Sequence, residues 1–140
     1  MKDWVLLTIV VAMLTGWLVG CTEAPSSDML IEYRRSGGFA GLDDHFVVRK
    51  NGEAILTRKS EHSEFTLNSD TLGRLQTLFE GAEFSQLRKE YLPSRRGSDL
   101  FEYIVTYKGH TVRTMDGAVP ASLQSILEAL NQIVESRGLP

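Results

Sequence analysis

The sequence predicts an α+β fold: an antiparallel sheet of four to five strands with two helices packed on one face, in the order βββ-α-ββ-α. Three observations carry this expectation. Asn51-Gly52 separates two runs with apolar residues at strand spacing, Lys108-Gly109 separates two more, and two segments near 68–82 and 120–134 repeat apolar residues at helical spacing. A layer of two helices over a sheet is the simplest way for these elements to bury their apolar sides together.

The first strand is read in "MLIEYRR", Met29 to Arg35, which carries β-branched and aromatic residues at strand spacing. A glycine-rich turn follows, and then "HFVVRK-NG-EAILTRK" reads as a hairpin, because Asn and Gly tolerate the positive φ of a type I′ turn. A two-residue turn there sets Lys50 opposite Glu53, Val48 opposite Ile55 and Phe46 opposite Thr57. "SEHSEF" reads as a polar connection. Asn68 or Ser69 can cap the first helix by accepting a free backbone N–H; Leu72, Leu75, Phe79 and Ala82 line one side of it, and it ends near Gly81. After the loop "LPSRRGSD", Phe101, Tyr103, Val105 and Tyr107 alternate up to the Lys108-Gly109 turn, and the chain returns through Val112. Pro120 suits the first turn of a last helix, where its missing N–H is not needed; Leu123, Ile126, Leu127, Leu130, Ile133 and Val134 form its stripe, which stops before Gly138.

Ahead of this domain, residues 1–20 have the parts of a secretory leader: Lys2, the apolar run "WVLLTIVVAMLTGWLV" from Trp4 to Val19, and small residues up to the cut. Cys21 follows at once, as a bacterial lipoprotein-processing peptidase requires, because its thiol takes a diacylglyceryl group before the leader is removed. The plainer alternative is an uncleaved spanning helix, since the run approaches the roughly 17 to 25 residues that cross a bilayer. The lipoprotein reading makes Cys21 the mature amino terminus and a membrane anchor, with residues 22–28, "TEAPSSD", as a polar tether of at most about 23 Å before a single globular domain over 29–140. Thr22, in place of the aspartate that signals inner-membrane retention in many diderm bacteria, leans the assignment to the outer membrane of the envelope.

Cys21 is the only cysteine, so once it is lipidated no thiol remains for a disulfide, a zinc site or a nucleophile. Lys and Arg total 15 against 18 Asp and Glu, a balance that argues against nucleic-acid binding, which needs a basic face. The histidines, His45, His62 and His110, stand in no H-E-x-x-H arrangement; there is no G-x-S-x-G elbow and no Walker-type glycine loop. The chain therefore reads as non-enzymatic, with no catalytic residues, cofactor or metal of its own. "DDH" at 43–45 and "EHSE" at 61–64 are weighed as metal ligands against a solvated strand end and a solvated loop, and the solvated readings are preferred. "RRGSD" at 95–99 is weighed as an anion site against a solvated loop, with the same outcome. Tyr103 and Tyr107 are assigned to packing.

The stretch left over is the glycine loop, Arg35-Ser36-Gly37-Gly38-Phe39-Ala40-Gly41. Phe39 either folds back as a plug over the edge of the domain or is held outward as an anchor for a partner. A phosphate cradle is set aside because the loop does not open a helix. "IEYRRSGGFAGL", together with "LQTLFEGAEF", "DLFEYIVTYKGHTVR" and "DGAVPASLQSILEAL" in the same order, resembles the emfourin family of small proteinaceous inhibitors of protealysin and related thermolysin-like metallopeptidases. The segment 42–65 and "SQLRKEYLPSRR" look longer than the family's equivalents. The resemblance implies a non-enzymatic inhibitor whose partner is a thermolysin-like zinc peptidase, with residues 35–41 as partner-binding residues. Phe39 would fill the apolar pocket beside the target's zinc, Gly37 and Gly38 would keep the neighbouring backbone slim, and Arg35 would pair with an acidic group at the rim. The alternative is a structural or assembly lipoprotein of the envelope.

Overall fold

A computed structural model of the chain describes residues 28–95, 97 and 99–137. The leader, Cys21, the tether to residue 27, and Arg96 and Ser98 of the candidate anion loop lie outside the described residues. The elements are β1 (Met29–Gly37), β2 (Leu42–Arg49), β3 (Glu53–Arg58), β4 (Glu61–Thr66), α1 (Ser69–Gly81), a 3-10 turn (Phe84–Gln86), β5 (Glu90–Tyr91), β6 (Phe101–Tyr107), β7 (His110–Met115) and α2 (Ala121–Arg137). They form an α+β layer whose sheet has the spatial order β4-β3-β2-β1-β6-β7-β5.

The sheet is thus larger than expected, and mixed. It has seven strands, and β5 runs parallel to β7 while every other pairing is antiparallel. The two additional strands lie at the edges. "EHSEFT" is β4, whose outer side has no neighbour; Glu61, His62, Glu64 and Thr66 are exposed and only Phe65 packs against the core. Such charged edges discourage pairing with other chains, and they erase the alternation by which a strand is read. β5 has two residues, too few for any period, and is fixed from outside when the Arg113 N–H donates to the Lys89 carbonyl at 2.8 Å.

Within the sheet, Ile31, Tyr33, Phe46, Val48, Ala54, Leu56, Tyr103, Val105, Tyr107 and Val112 point to one face and are buried. Leu75 and Phe79 of α1 and Leu123, Ile126, Leu127, Leu130 and Val134 of α2 close over them. Phe79 stacks on Tyr107 with centroids 4.3 Å apart, and the Tyr33 hydroxyl donates to Asn131 at 2.6 Å, so both helices cover the same side. Asn68 is the cap of α1: its Oδ1 accepts the Thr71 N–H at 2.8 Å. Pro120 stands just before α2, where its carbonyl accepts the Leu123 N–H at 2.9 Å.

The second hairpin turns at Lys108-Gly109 as expected, with Tyr107 opposite His110 and both turn residues at positive φ. The first hairpin departs from its expected register. Val48 faces Ala54 and Phe46 faces Leu56, one residue away from the expected pairing. Here Lys50, Asn51 and Gly52 form a three-residue loop in which only Gly52 has positive φ and its N–H donates to the Arg49 carbonyl at 3.0 Å. Gly52 is buried against the segment entering α1: its carbonyl accepts the Leu67 N–H at 2.9 Å, and a Cβ on it would come within 3.1 Å of the Leu67 carbonyl. A slip of one residue exchanges the faces of a strand, which is why Leu56 is buried and Ile55 lies beside Val47 on the uncovered face.

Candidate functional site

β1 and β2 close at the pair Gly37 and Leu42, leaving Gly38-Phe39-Ala40-Gly41 as the turn. The Gly41 N–H donates to the Gly38 carbonyl at 3.1 Å, and Gly37, Gly38 and Gly41 hold φ of 107°, 69° and 57°. Glycine populates such angles without steric cost. Phe39 stands on this turn with 94% of its surface exposed, the one large apolar side chain so exposed among the described residues. It is no plug. Leaving such a ring in water forgoes roughly 1.5 to 3 kcal/mol of burial.

The base of the turn is closely packed. The Gly38 N–H points at the Leu100 carbonyl at 3.4 Å, a Cβ on Gly37 would collide with that same oxygen, and one on Gly38 would lie 2.6 Å from the Phe101 ring. These two glycines therefore serve contact within the domain, against the entry to β6. The slim tip is Phe39-Ala40-Gly41, and a Cβ on Gly41 would meet nothing. Phe101 is itself held: its N–H donates to Asp116 Oδ2 at 2.9 Å, its carbonyl accepts the Asp116 N–H at 3.0 Å, and the Tyr103 hydroxyl donates to Asp116 Oδ1 at 3.1 Å. Burial, reinforced by the Asp116 charge and this hydrogen bond, pushes the Tyr103 phenol up to about 12.

Arg35, expected at the rim, lies inside with 6% of its surface exposed. β-strand alternation sets it on the same face as Ile31 and Tyr33, and its guanidinium is engaged there. Nε and Nη2 donate to Asp44 Oδ2 at 3.1 and 2.8 Å, and Nη1 donates to Asn131 Oδ1 and Glu135 Oε1, each at 3.0 Å. Arg58 binds the other Asp44 oxygen. The Arg35 cation also lies 5.9 Å from the Phe101 ring centroid, so this network borders the packed base of the turn. The Arg35 guanidinium is thus engaged within the domain, tying β1 to β2 and α2. Ser36 is half-buried, and Ala40 and Gly41 are exposed.

Asp44 is not a solvated strand end. It is fully buried, and although burial alone would raise its carboxyl, the hydrogen bonds and charges of Arg58 and Arg35 outweigh that and hold it below the usual carboxylate range. His45, its neighbour, faces the opposite side of the sheet and meets Glu32 at 2.8 Å, so "DDH" does not converge. His62 meets Thr57 and Glu64 on an exposed edge strand rather than in a loop. Among the described residues, no three His, Cys, Asp or Glu side chains gather as metal ligands would. Asp116 escaped the sequence reading, and Asp44 entered it only as part of a solvated strand end. Asp44 had a signal, because it shares its parity with Phe46 and Val48 and so falls on the inward face; Asp116 follows its strand and has none.

The chain matches no protein-family model and no curated protein in sequence.

Proposed function

We propose that this protein is a lipid-anchored, non-enzymatic inhibitor of a thermolysin-like zinc metallopeptidase, emfourin-like in its action, that blocks the target's cleft with Phe39. The observation that supports it is a bare aromatic ring on a turn whose base is fixed by tight packing. A preorganised anchor loses little conformational freedom on binding, and a buried aromatic commonly dominates an interface, with truncation costing about 2 kcal/mol or more. The zinc belongs to the target, and the inhibitor supplies shape: Phe39 enters the apolar pocket beside the metal while Ala40 and Gly41 let the cleft wall approach. Arg35 and Asp44 hold the hairpin from behind.

The test is hydrolysis of a peptide substrate by several thermolysin-like enzymes in the presence of the domain from Thr22 onward. Slowing at micromolar concentration by at least one of them is expected. No slowing by any would reject the proposal and leave an envelope lipoprotein whose exposed ring docks a component of another kind, to be recovered by affinity capture on membranes.

A further inference from the structure

β1 is the middle strand of the sheet and has nine residues, so its two ends lie about 26 Å apart at the usual rise per residue. One end leads back toward Cys21; the other carries Phe39. The first end is bracketed by two turn tips. The Lys50 N–H donates to the Asp28 carbonyl at 2.9 Å and the Lys108 N–H donates to the Leu30 carbonyl at 3.1 Å, so both turns close around the point where the tether joins. Lys50, Asn51, Lys108 and Gly109 are all exposed there.

The geometry points to a preferred polarity at the membrane: the domain turns the Lys50–Gly52 and Lys108–Gly109 turns toward the bilayer and presents Phe39 from the far end, to a partner that approaches through the aqueous phase. This rests on the lipidated Cys21 and, for the partner, on the inhibitor reading above. Its basis is topological. A chain anchored at the start of a central strand holds the opposite end of that strand, with the turn that follows it, away from the point of attachment. With the tether extended and the strand upright, Phe39 reaches roughly 50 Å from the bilayer. The fitting partner is a water-soluble enzyme, or one whose catalytic domain projects well above the lipid, and not one whose cleft opens at the headgroups.

The sequence offers a clean test, since both tryptophans, Trp4 and Trp17, precede Cys21 and leave with the leader. Single-tryptophan variants Lys50→Trp and Phe39→Trp of the full chain, processed and lipidated, are reconstituted into phosphatidylethanolamine–phosphatidylglycerol vesicles containing lipids brominated in their acyl chains. Lys50→Trp fluorescence should be quenched at least twofold more than Phe39→Trp fluorescence. Both sites are exposed, so neither variant disturbs the core, and the common reporter cancels tryptophan's own preference for interfaces. Equal quenching, or stronger quenching at position 39, overturns the polarity. Failure of the protein to float with the vesicles overturns it at the anchor. Because no peptidase is present, a domain that inhibits nothing would still show or lack this polarity, and the two readings fail separately.

Discussion

Phe39 and its two glycine neighbours divide the labour at the site, and substitutions should separate them. Phe39→Ala removes an exposed ring, so thermal stability should stay within about 1 kcal/mol of the parent while inhibition weakens at least tenfold, as measured by melting temperature and Ki side by side. Gly38→Ala should cost stability as well. Its φ of 69° and the Phe101 ring 2.6 Å from the new Cβ both resist the methyl group, so a loss of about 1 to 3 kcal/mol is expected in urea titration, with inhibition falling as the turn shifts. The sequence shows why Phe39 attracts attention, since large rings between glycines are unusual. It does not show what the glycines touch, because Leu100 and Phe101 are more than sixty residues away along the chain. Arg35 illustrates the same limit: its parity with Ile31 and Tyr33 marks it as inward, but only the arrival of Asp44, Asn131 and Glu135 makes an inward arginine tenable.

At the scale of elements, the helices and the second hairpin were legible because each is decided locally. A 3.6-residue stripe and a capping side chain suffice for α1, and Asn68→Ala should therefore cost about 1 kcal/mol by removing the bond to the Thr71 N–H, read as a lower urea midpoint at unchanged slope. Lys108-Gly109 makes its own turn with two left-handed residues. Asn51-Gly52 was equally suggestive and gave a different turn, since Gly52 is packed beneath Leu67 and the hairpin follows that contact. β4 and β5 escaped notice for a related reason. Each is a strand only because a neighbour offers hydrogen bonds, and neither carries the two-residue period that a covered face imposes.

For the whole molecule, the buried charges make stability depend on pH at both extremes. Asp44 titrates below the usual carboxylate range in the folded state, so it binds fewer protons there than when unfolded. Its contribution is complete above the unfolded value near 3.9 and is lost as pH falls through the lower folded value. Urea unfolding followed downward from pH 5 should show this loss, and Asp44→Asn should flatten it while destabilising the protein at neutral pH by about 3 to 5 kcal/mol, because Arg35 and Arg58 would lose their counter-charge. Tyr103 has the opposite sign. Its folded value near 12 lies above the ordinary 10, so stability declines as pH rises between the two, and Tyr103→Phe should make the alkaline limb shallower.

The sequence by itself determined the α+β layer, the two helices with their buried stripes, the Lys108-Gly109 hairpin and a lone aromatic between glycines, because each is written in periods and turn residues a few positions long. Only the tertiary structure decided the seven-strand width, the register of the first hairpin, the interior place of Arg35 and Asp44, and the outward stance of Phe39. Those depend on groups that meet only after the chain has folded: an edge strand is defined by its neighbour, a buried ion pair by its partner, and an exposed ring by the packing of everything beneath it.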